Sequence, residues 1–170
     1  ANATSQLCSA CEAGTFQENE GSTACVACDP GFRCPEGSVV QIPASCDPGT
    51  YLNVTLDTCV GCPPGSLCVG GASPPRPCSR GGFCAGNASV ATDCPAGRYG
   101  SETGLPDAAC SGECARGFFC PLGSMSAKAE ACVEGTFGNA TGLVALANCS
   151  ACPAGHACGL GASEPTRCVA

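Results

Sequence analysis

Twenty cysteines in 170 residues, set at repeating intervals, constrain this chain more than any other feature. One four-cysteine unit, C-x2/3-C-x5-C-x9/11-C, recurs four times. Its members are Cys25, Cys28, Cys34, Cys46; Cys59, Cys62, Cys68, Cys78; Cys110, Cys114, Cys120, Cys132; and Cys149, Cys152, Cys158, Cys168. The five-residue interval never varies among them, and a fixed loop length implies a fixed local geometry. Cys84 and Cys94 fall in an inserted half-unit, and Cys8 and Cys11 open the chain. The spacing therefore predicts an N-terminal partial module over 1–24 and four modules over 25–58, 59–109 (with the half-unit at 79–94), 110–148 and 149–170.

The rest of the composition explains why bridges are needed. Only 29 residues are Val, Ile, Leu, Met, Phe or Tyr, and none is Trp. That is too little apolar volume to offset the conformational entropy of one compact domain of this length. A cysteine content near 12% marks a disulfide scaffold. At ~2–4 kcal/mol per bridge, cross-links could replace the missing core.

Bridges at this density persist in oxidising surroundings, which points to the secretory pathway and an extracellular or cell-surface location. The asparagines agree. Five of the six lie in N-x-[ST] sequons, headed by Asn2, Asn53, Asn87, Asn139 and Asn148, where chance would give roughly one. N-linked glycans are thus expected, and no other cofactor; Cys149 makes Asn148 the doubtful acceptor. The formal charge of −7 is spread thinly, with no basic patch for nucleic acid. No signal peptide and no apolar run of membrane length is visible, so the chain reads as a mature segment of something longer, without membrane insertion of its own.

A second regularity is C-x2-G, at Cys11, Cys28, Cys46, Cys62, Cys78, Cys94, Cys114, Cys132 and Cys152. Glycine at that offset predicts a tight turn with positive φ or a backbone pressed against a bridge. Between the units, a glycine of this motif precedes an aromatic by two positions in Gly14-Thr15-Phe16, Gly49-Thr50-Tyr51, Gly97-Arg98-Tyr99 and Gly135-Thr136-Phe137. Each aromatic is expected to cover a neighbouring bridge as a one-residue core. Helical periodicity is nearly absent, with at most one turn between Leu143 and Ala147. The expected fold is small and disulfide-rich: elongated tandem cysteine-rich modules of short β-hairpins and loops, each touching its neighbours.

The start Cys8-Ser-Ala-Cys11-Glu-Ala-Gly14-Thr15-Phe16, and the cysteines that follow, resemble the ephrin-receptor-like cysteine-rich repeat, a relative of EGF-like and tumour necrosis factor receptor modules. The resemblance extends along essentially the whole chain. It implies a crossed pairing, first cysteine with third and second with fourth. The bridges would be Cys25–Cys34, Cys28–Cys46, Cys59–Cys68, Cys62–Cys78, Cys110–Cys120, Cys114–Cys132, Cys149–Cys158 and Cys152–Cys168, with Cys84–Cys94 closing the half-unit. Cys8 and Cys11 would join each other or reach upstream sequence. A register starting one cysteine earlier strands both Cys8 and Cys168. Such repeats also occur in protist and algal surface proteins, including flagellar-hair (mastigoneme) proteins. The composition fits a GC-rich genome such as those of some green algae: Ala, Gly and Pro total 64 residues, and six Arg stand against one Lys.

Site chemistry is scarce. The C-x2-C pairs Cys25/Cys28 and Cys59/Cys62 have zinc-ligand spacing, but so many cysteines beside five sequons and one histidine favour bridges. Cys8-Ser-Ala-Cys11 lacks the βαβ frame of a redox motif. His156 sits where the repeat elsewhere carries Phe32, Ser66, Gly82 and Phe118, a filler position rather than a general base. No phosphate loop or nucleophile elbow is present. Glu18, Asn19 and Glu20 read as a solvated loop tip rather than a calcium site. Two features suit partners. One is the polyproline stretch Ser73-Pro74-Pro75-Arg76-Pro77, a stiff spacer whose Pro74, Pro75 and Pro77 are candidates for O-glycosylation in an algal or plant source. The other is the apolar pair Phe118-Phe119.

The sequence thus predicts a non-enzymatic, glycan-coated structural segment that spaces or assembles larger units, in a filament or surface coat such as the flagellar surface. Its partners would be neighbouring modules, identical subunits or other proteins. The alternative is a receptor-type ectodomain module that binds a protein ligand; a secreted inhibitor would need a protruding loop, and none stands out.

Overall fold

The computed structural model describes residues 9–169, so Asn2 and Cys8 lie outside the described residues. Among the described residues nine bridges are formed, and each joins one cysteine to the next along the chain: Cys11–Cys25, Cys28–Cys34, Cys46–Cys59, Cys62–Cys68, Cys78–Cys84, Cys94–Cys110, Cys114–Cys120, Cys132–Cys149 and Cys152–Cys158. They define nine closed loops, numbered here 1 to 9 in that order. This overturns the crossed pairing: Cys25–Cys34, Cys28–Cys46, Cys59–Cys68, Cys62–Cys78, Cys84–Cys94, Cys110–Cys120, Cys114–Cys132, Cys149–Cys158 and Cys152–Cys168 are not bridges. Cys11 pairs with Cys25 rather than Cys8. Cys168 is an exposed thiol without a partner among the described residues. Four bridges, at 11–25, 46–59, 94–110 and 132–149, span the module boundaries read from the spacing, so the covalent unit is the single loop.

The reason is local. The cysteine that opens each loop starts a C-x2-G motif; four further copies follow the closing cysteines Cys34, Cys68, Cys120 and Cys158. The nine glycines that follow the opening cysteines lie between φ +77° and +89°. In each of these nine motifs the residue after the glycine donates to the carbonyl three back, as Ser66 does to Pro63 at 3.1 Å. That is a type II turn, which demands positive φ at its third position and favours proline at its second, where Pro30, Pro48 and Pro64 stand. A two-residue strand follows and carries the chain back. In the five short loops this brings the cysteine six positions on to a Cα distance of 5.8–6.2 Å, within bridging range.

The remaining regular structure is a series of two-stranded antiparallel ribbons. Most strands have two residues, as in Ser66–Leu67 against Arg76–Pro77; the longest ribbon pairs Thr50–Asn53 with Thr58–Gly61. One 3-10 turn, Leu146–Asn148, is the helical content of the described residues. Twelve of the fourteen buried apolar residues are cysteines, joined by Phe16 and Ala44. The aromatic cores expected after each turn are therefore only partly realised. Phe16 is buried, whereas Tyr51, Tyr99 and Phe137 are half-exposed and sulfur fills the interior.

Loops stack by three recurring backbone hydrogen bonds, well illustrated between loops 7 and 8. Gly117 of loop 7 donates to Gly138 at 2.8 Å, Cys132 opening loop 8 donates to Gly117 at 2.9 Å, and Gly142 donates back to Cys114 at 2.9 Å. The same three bonds, with equivalent residues, join loops 1–2, 3–4, 4–5, 5–6, 6–7 and 8–9. Seven of the nine turn glycines, all but Gly135 and Gly155, also face the loop two further on. A Cβ at Gly65 would sit 2.4 Å from the Gly104 carbonyl oxygen, and one at Gly97 would sit 2.5 Å from that of Gly142. Glycine is thus required twice at one position, for its turn and for its lack of bulk.

The junction of loops 2 and 3 departs from this pattern. Ala44, not Cys46, donates to the Gly31 carbonyl at 2.9 Å, and Ala44 is buried like a cysteine. The strand pair Phe32–Arg33 with Ile42–Pro43 ends directly before Ala44, where other ribbons run straight into the next cysteine. Ala44 and Ser45 are therefore a two-residue insertion in the stack, and Cys46 instead exchanges bonds with Gly71 of the following loop.

Candidate functional site

The surface most able to carry function is the outside of this ladder, where sequons, proline stretch and exposed side chains lie. Asn53 ends a strand of the longest ribbon, and its Oδ1 accepts from the amides of Thr55 at 3.0 Å and Leu56 at 3.1 Å. That Asx turn fixes the side chain while leaving Nδ2, the atom that takes a glycan, uncommitted. Asn87 is exposed and left-handed at φ +63°. It occupies the return-bond position otherwise held by glycine, its amide donating to Cys62 at 2.8 Å. Asparagine tolerates that conformation better than other side chains. Its Oδ1 packs against Gly61, so sequon and stacking residue coincide.

Asn139 is exposed on loop 8, and the hydroxyl of its sequon partner Thr141 donates to Glu113 at 2.6 Å. Asn148 is exposed at the end of the same loop and accepts from the Ala145 amide at 3.1 Å, beside the bridged Cys149. Three sequons of the described residues thus differ in backbone: an Asx turn, a left-handed stitch and a 3-10 turn. The motif alone did not distinguish them.

Arg76–Pro77 forms a strand against Ser66–Leu67, so only the first part of the proline stretch is free of a ladder. Pro74 and Pro75 line a small cleft with Pro30, Tyr51, Leu52 and Val54. Phe118 and Phe119 are both half-buried. Phe118 is covered from within the chain: Gly161 of the loop 9 tail lies under its ring, and the Lys128 ammonium sits 5.5 Å from its centroid. Phe119 bridges to Leu143 through the backbone.

The zinc spacing dissolves in the structure, since Cys25 is bridged to Cys11, Cys28 to Cys34, Cys59 to Cys46 and Cys62 to Cys68. Glu18, Asn19 and Glu20 line an open cleft over loop 1. Among the described residues no cluster of His, Cys, Asp and Glu could hold a metal ion. His156 lies in a short strand with Nδ1 3.2 Å from the Ala154 carbonyl oxygen. No helix among the described residues is long and apolar enough to cross a membrane.

Residues 1–46 match the family model described as tyrosine-protein kinase ephrin type A/B receptor-like. The match ends at the cysteine displaced by the Ala44-Ser45 insertion. Two curated proteins are also similar, both named sushi, von Willebrand factor type A, EGF and pentraxin domain-containing protein 1. The mouse (Mus musculus) protein is 36% identical over 62 residues and the rat (Rattus norvegicus) protein 34% over 62 residues. Each match takes in 35% of this chain and 2% of the relative. The chain is thus a disulfide-rich repeat of the ectodomain type, similar over part of its length to segments of far longer proteins.

Proposed function

We propose that this chain is a structural segment of an extracellular or cell-surface glycoprotein, a braced rod that spaces or assembles larger units and performs no catalysis. The observation that carries the reading is the uninterrupted stitching of loops 3 to 9, in which each loop bonds to the next and loops 3 to 7 also touch the one beyond. Such a one-dimensional stack transmits position along its length. Its sulfur core tolerates an exposed, thin cross-section that an aliphatic core of this size could not hold together. Glycans at Asn2, Asn53, Asn87, Asn139 and Asn148 would shield it, and modified prolines at Pro74, Pro75 and Pro77 would stiffen its edge. Assembly into a filament or coat, mastigoneme-like on a flagellar surface, is the specific form of this proposal.

A receptor-type ectodomain module that engages a protein ligand is the second reading, favoured by the match of residues 1–46 to a receptor-like family. Negative-stain micrographs of the native assembly separate the two. Long polymers containing this chain support the structural role; discrete monomers or dimers that capture a soluble protein overturn it.

A further inference from the structure

We propose that the junction of loops 2 and 3 is a hinge built into the rod, closed by a latch between Arg33 and Asp57. Three observations converge there. First, the stitches are missing: Gly31 donates to no backbone carbonyl among the described residues, Cys28 receives no return bond, and the bond to the Gly31 carbonyl has passed from a cysteine to Ala44. Second, the Ala44-Ser45 insertion places two residues outside any strand pair between the Phe32–Arg33 ribbon and loop 3. A cleft of about 170 Å³, lined by Pro30, Gly31, Tyr51, Ala72 and Pro74 among others, opens beside it. Third, a side chain replaces the absent backbone bonds. Arg33 Nη2 donates to the Asp57 carbonyl at 3.0 Å and to its carboxylate Oδ2 at 3.4 Å, across 24 residues.

The latch is reversible by its own chemistry. Asp57 is 7% exposed and left-handed at φ +46°, a conformation that a non-glycine residue adopts at a cost. Arg33 Nε is buried with no hydrogen-bond partner, so closing the latch strands a donor that water would satisfy in the open state. The Arg33 side chain keeps 43% of its surface, leaving solvent a path to the pair. Packing across the junction persists without bonds: Gly14 rests against the Val54 carbonyl and Gly31 against Ala72. The two arms therefore stay in contact while free to change angle. This inference does not depend on whether the rod serves a filament or a receptor.

Hydrogen exchange with mass spectrometry on the intact oxidised protein tests it. Amides of Gly31, Ala44 and Cys46 are expected to exchange about tenfold or more faster than those of Gly117, Cys132 and Gly142. Asp57→Ala should raise exchange further at the junction, leave loops 5 to 9 unchanged, and broaden the distance distribution from small-angle X-ray scattering. Deleting Ala44 and Ser45, which returns Cys46 to register, should slow it. Equal protection at the two junctions in the unaltered protein overturns the hinge. So does an Asp57→Ala effect spread evenly over all nine loops. Arg33→Ala, which alters an accessible side chain, provides the same readout should Asp57→Ala fail to fold.

Discussion

Loops 2 and 3 are separated by eleven residues between Cys34 and Cys46, and loops 7 and 8 by eleven between Cys120 and Cys132. The intervals match, and the structures differ. In the second case Phe118–Phe119 pairs with Glu130–Ala131, a wider turn absorbs the added length, and Cys132 follows in register. In the first the ribbon Phe32–Arg33 with Ile42–Pro43 closes earlier, and the surplus falls after it as Ala44-Ser45. One arrangement hides two residues at a ribbon tip and keeps the stack. The other spends them at the seam and loses it. Spacing between cysteines is thus insufficient to define a junction; where the ribbon turns decides.

The largest expected effect comes from removing a bridge on either side of this comparison. Cys132→Ser with Cys149→Ser should cost about 3 kcal/mol in thermal unfolding, mainly through the unfolded chain. Cys46→Ser with Cys59→Ser should cost a similar amount, yet leave the stitches between loops 1 and 2 protected because few bonds cross that seam. Next, inserting Ala-Ser between Ala131 and Cys132 should turn the regular junction into the irregular one, seen as faster exchange at Gly117 and Gly142; unaltered exchange would mean that register is not what maintains the stitches. Gly117→Ala should destabilise by more than about 2 kcal/mol, since its Cβ meets the Gly161 carbonyl in addition to the left-handed strain. Gly135→Ala, with a similar φ (+79° against +82°) but open space around it, should cost only about 1 kcal/mol in the same denaturation series. The smallest change is Ala44→Gly, about 1 kcal/mol or less by melting temperature, for one buried methyl group in a place that cysteine fills elsewhere.

Much of the fold was legible in the cysteines. A C-x2-G motif follows every loop-opening cysteine, and those glycines take the positive φ that the offset requires, but the same motif also follows the closing cysteines Cys34, Cys68, Cys120 and Cys158. The partner of each opening cysteine, the next one in the chain, was not fixed by the motif. The expected crossed pattern came instead from resemblance to receptor modules, and spacing alone permits either. What separates them is the type II turn, which returns the chain within six residues and satisfies the sulfur locally. Ala44 was not legible, because nothing in its identity announces that it stands in for a cysteine. The Arg33–Asp57 contact was also invisible, since 24 residues separate the two and neither belongs to a motif. Among the sequons, the motif identified Asn87, but its second role in the stack follows only from the return bond to Cys62.

Pairing each cysteine with its successor also bears on how the chain is made. A polypeptide entering an oxidising compartment from its N-terminus presents Cys11 and then Cys25, Cys28 and then Cys34, in the order in which they are joined. Each ring can close on residues already translocated, without holding a thiol in reserve for a distant mate. Each finished ring then offers the next one a glycine carbonyl and amide to dock on, so order is laid down in the direction of synthesis. A crossed pattern would leave two thiols open at every step and invite wrong exchanges.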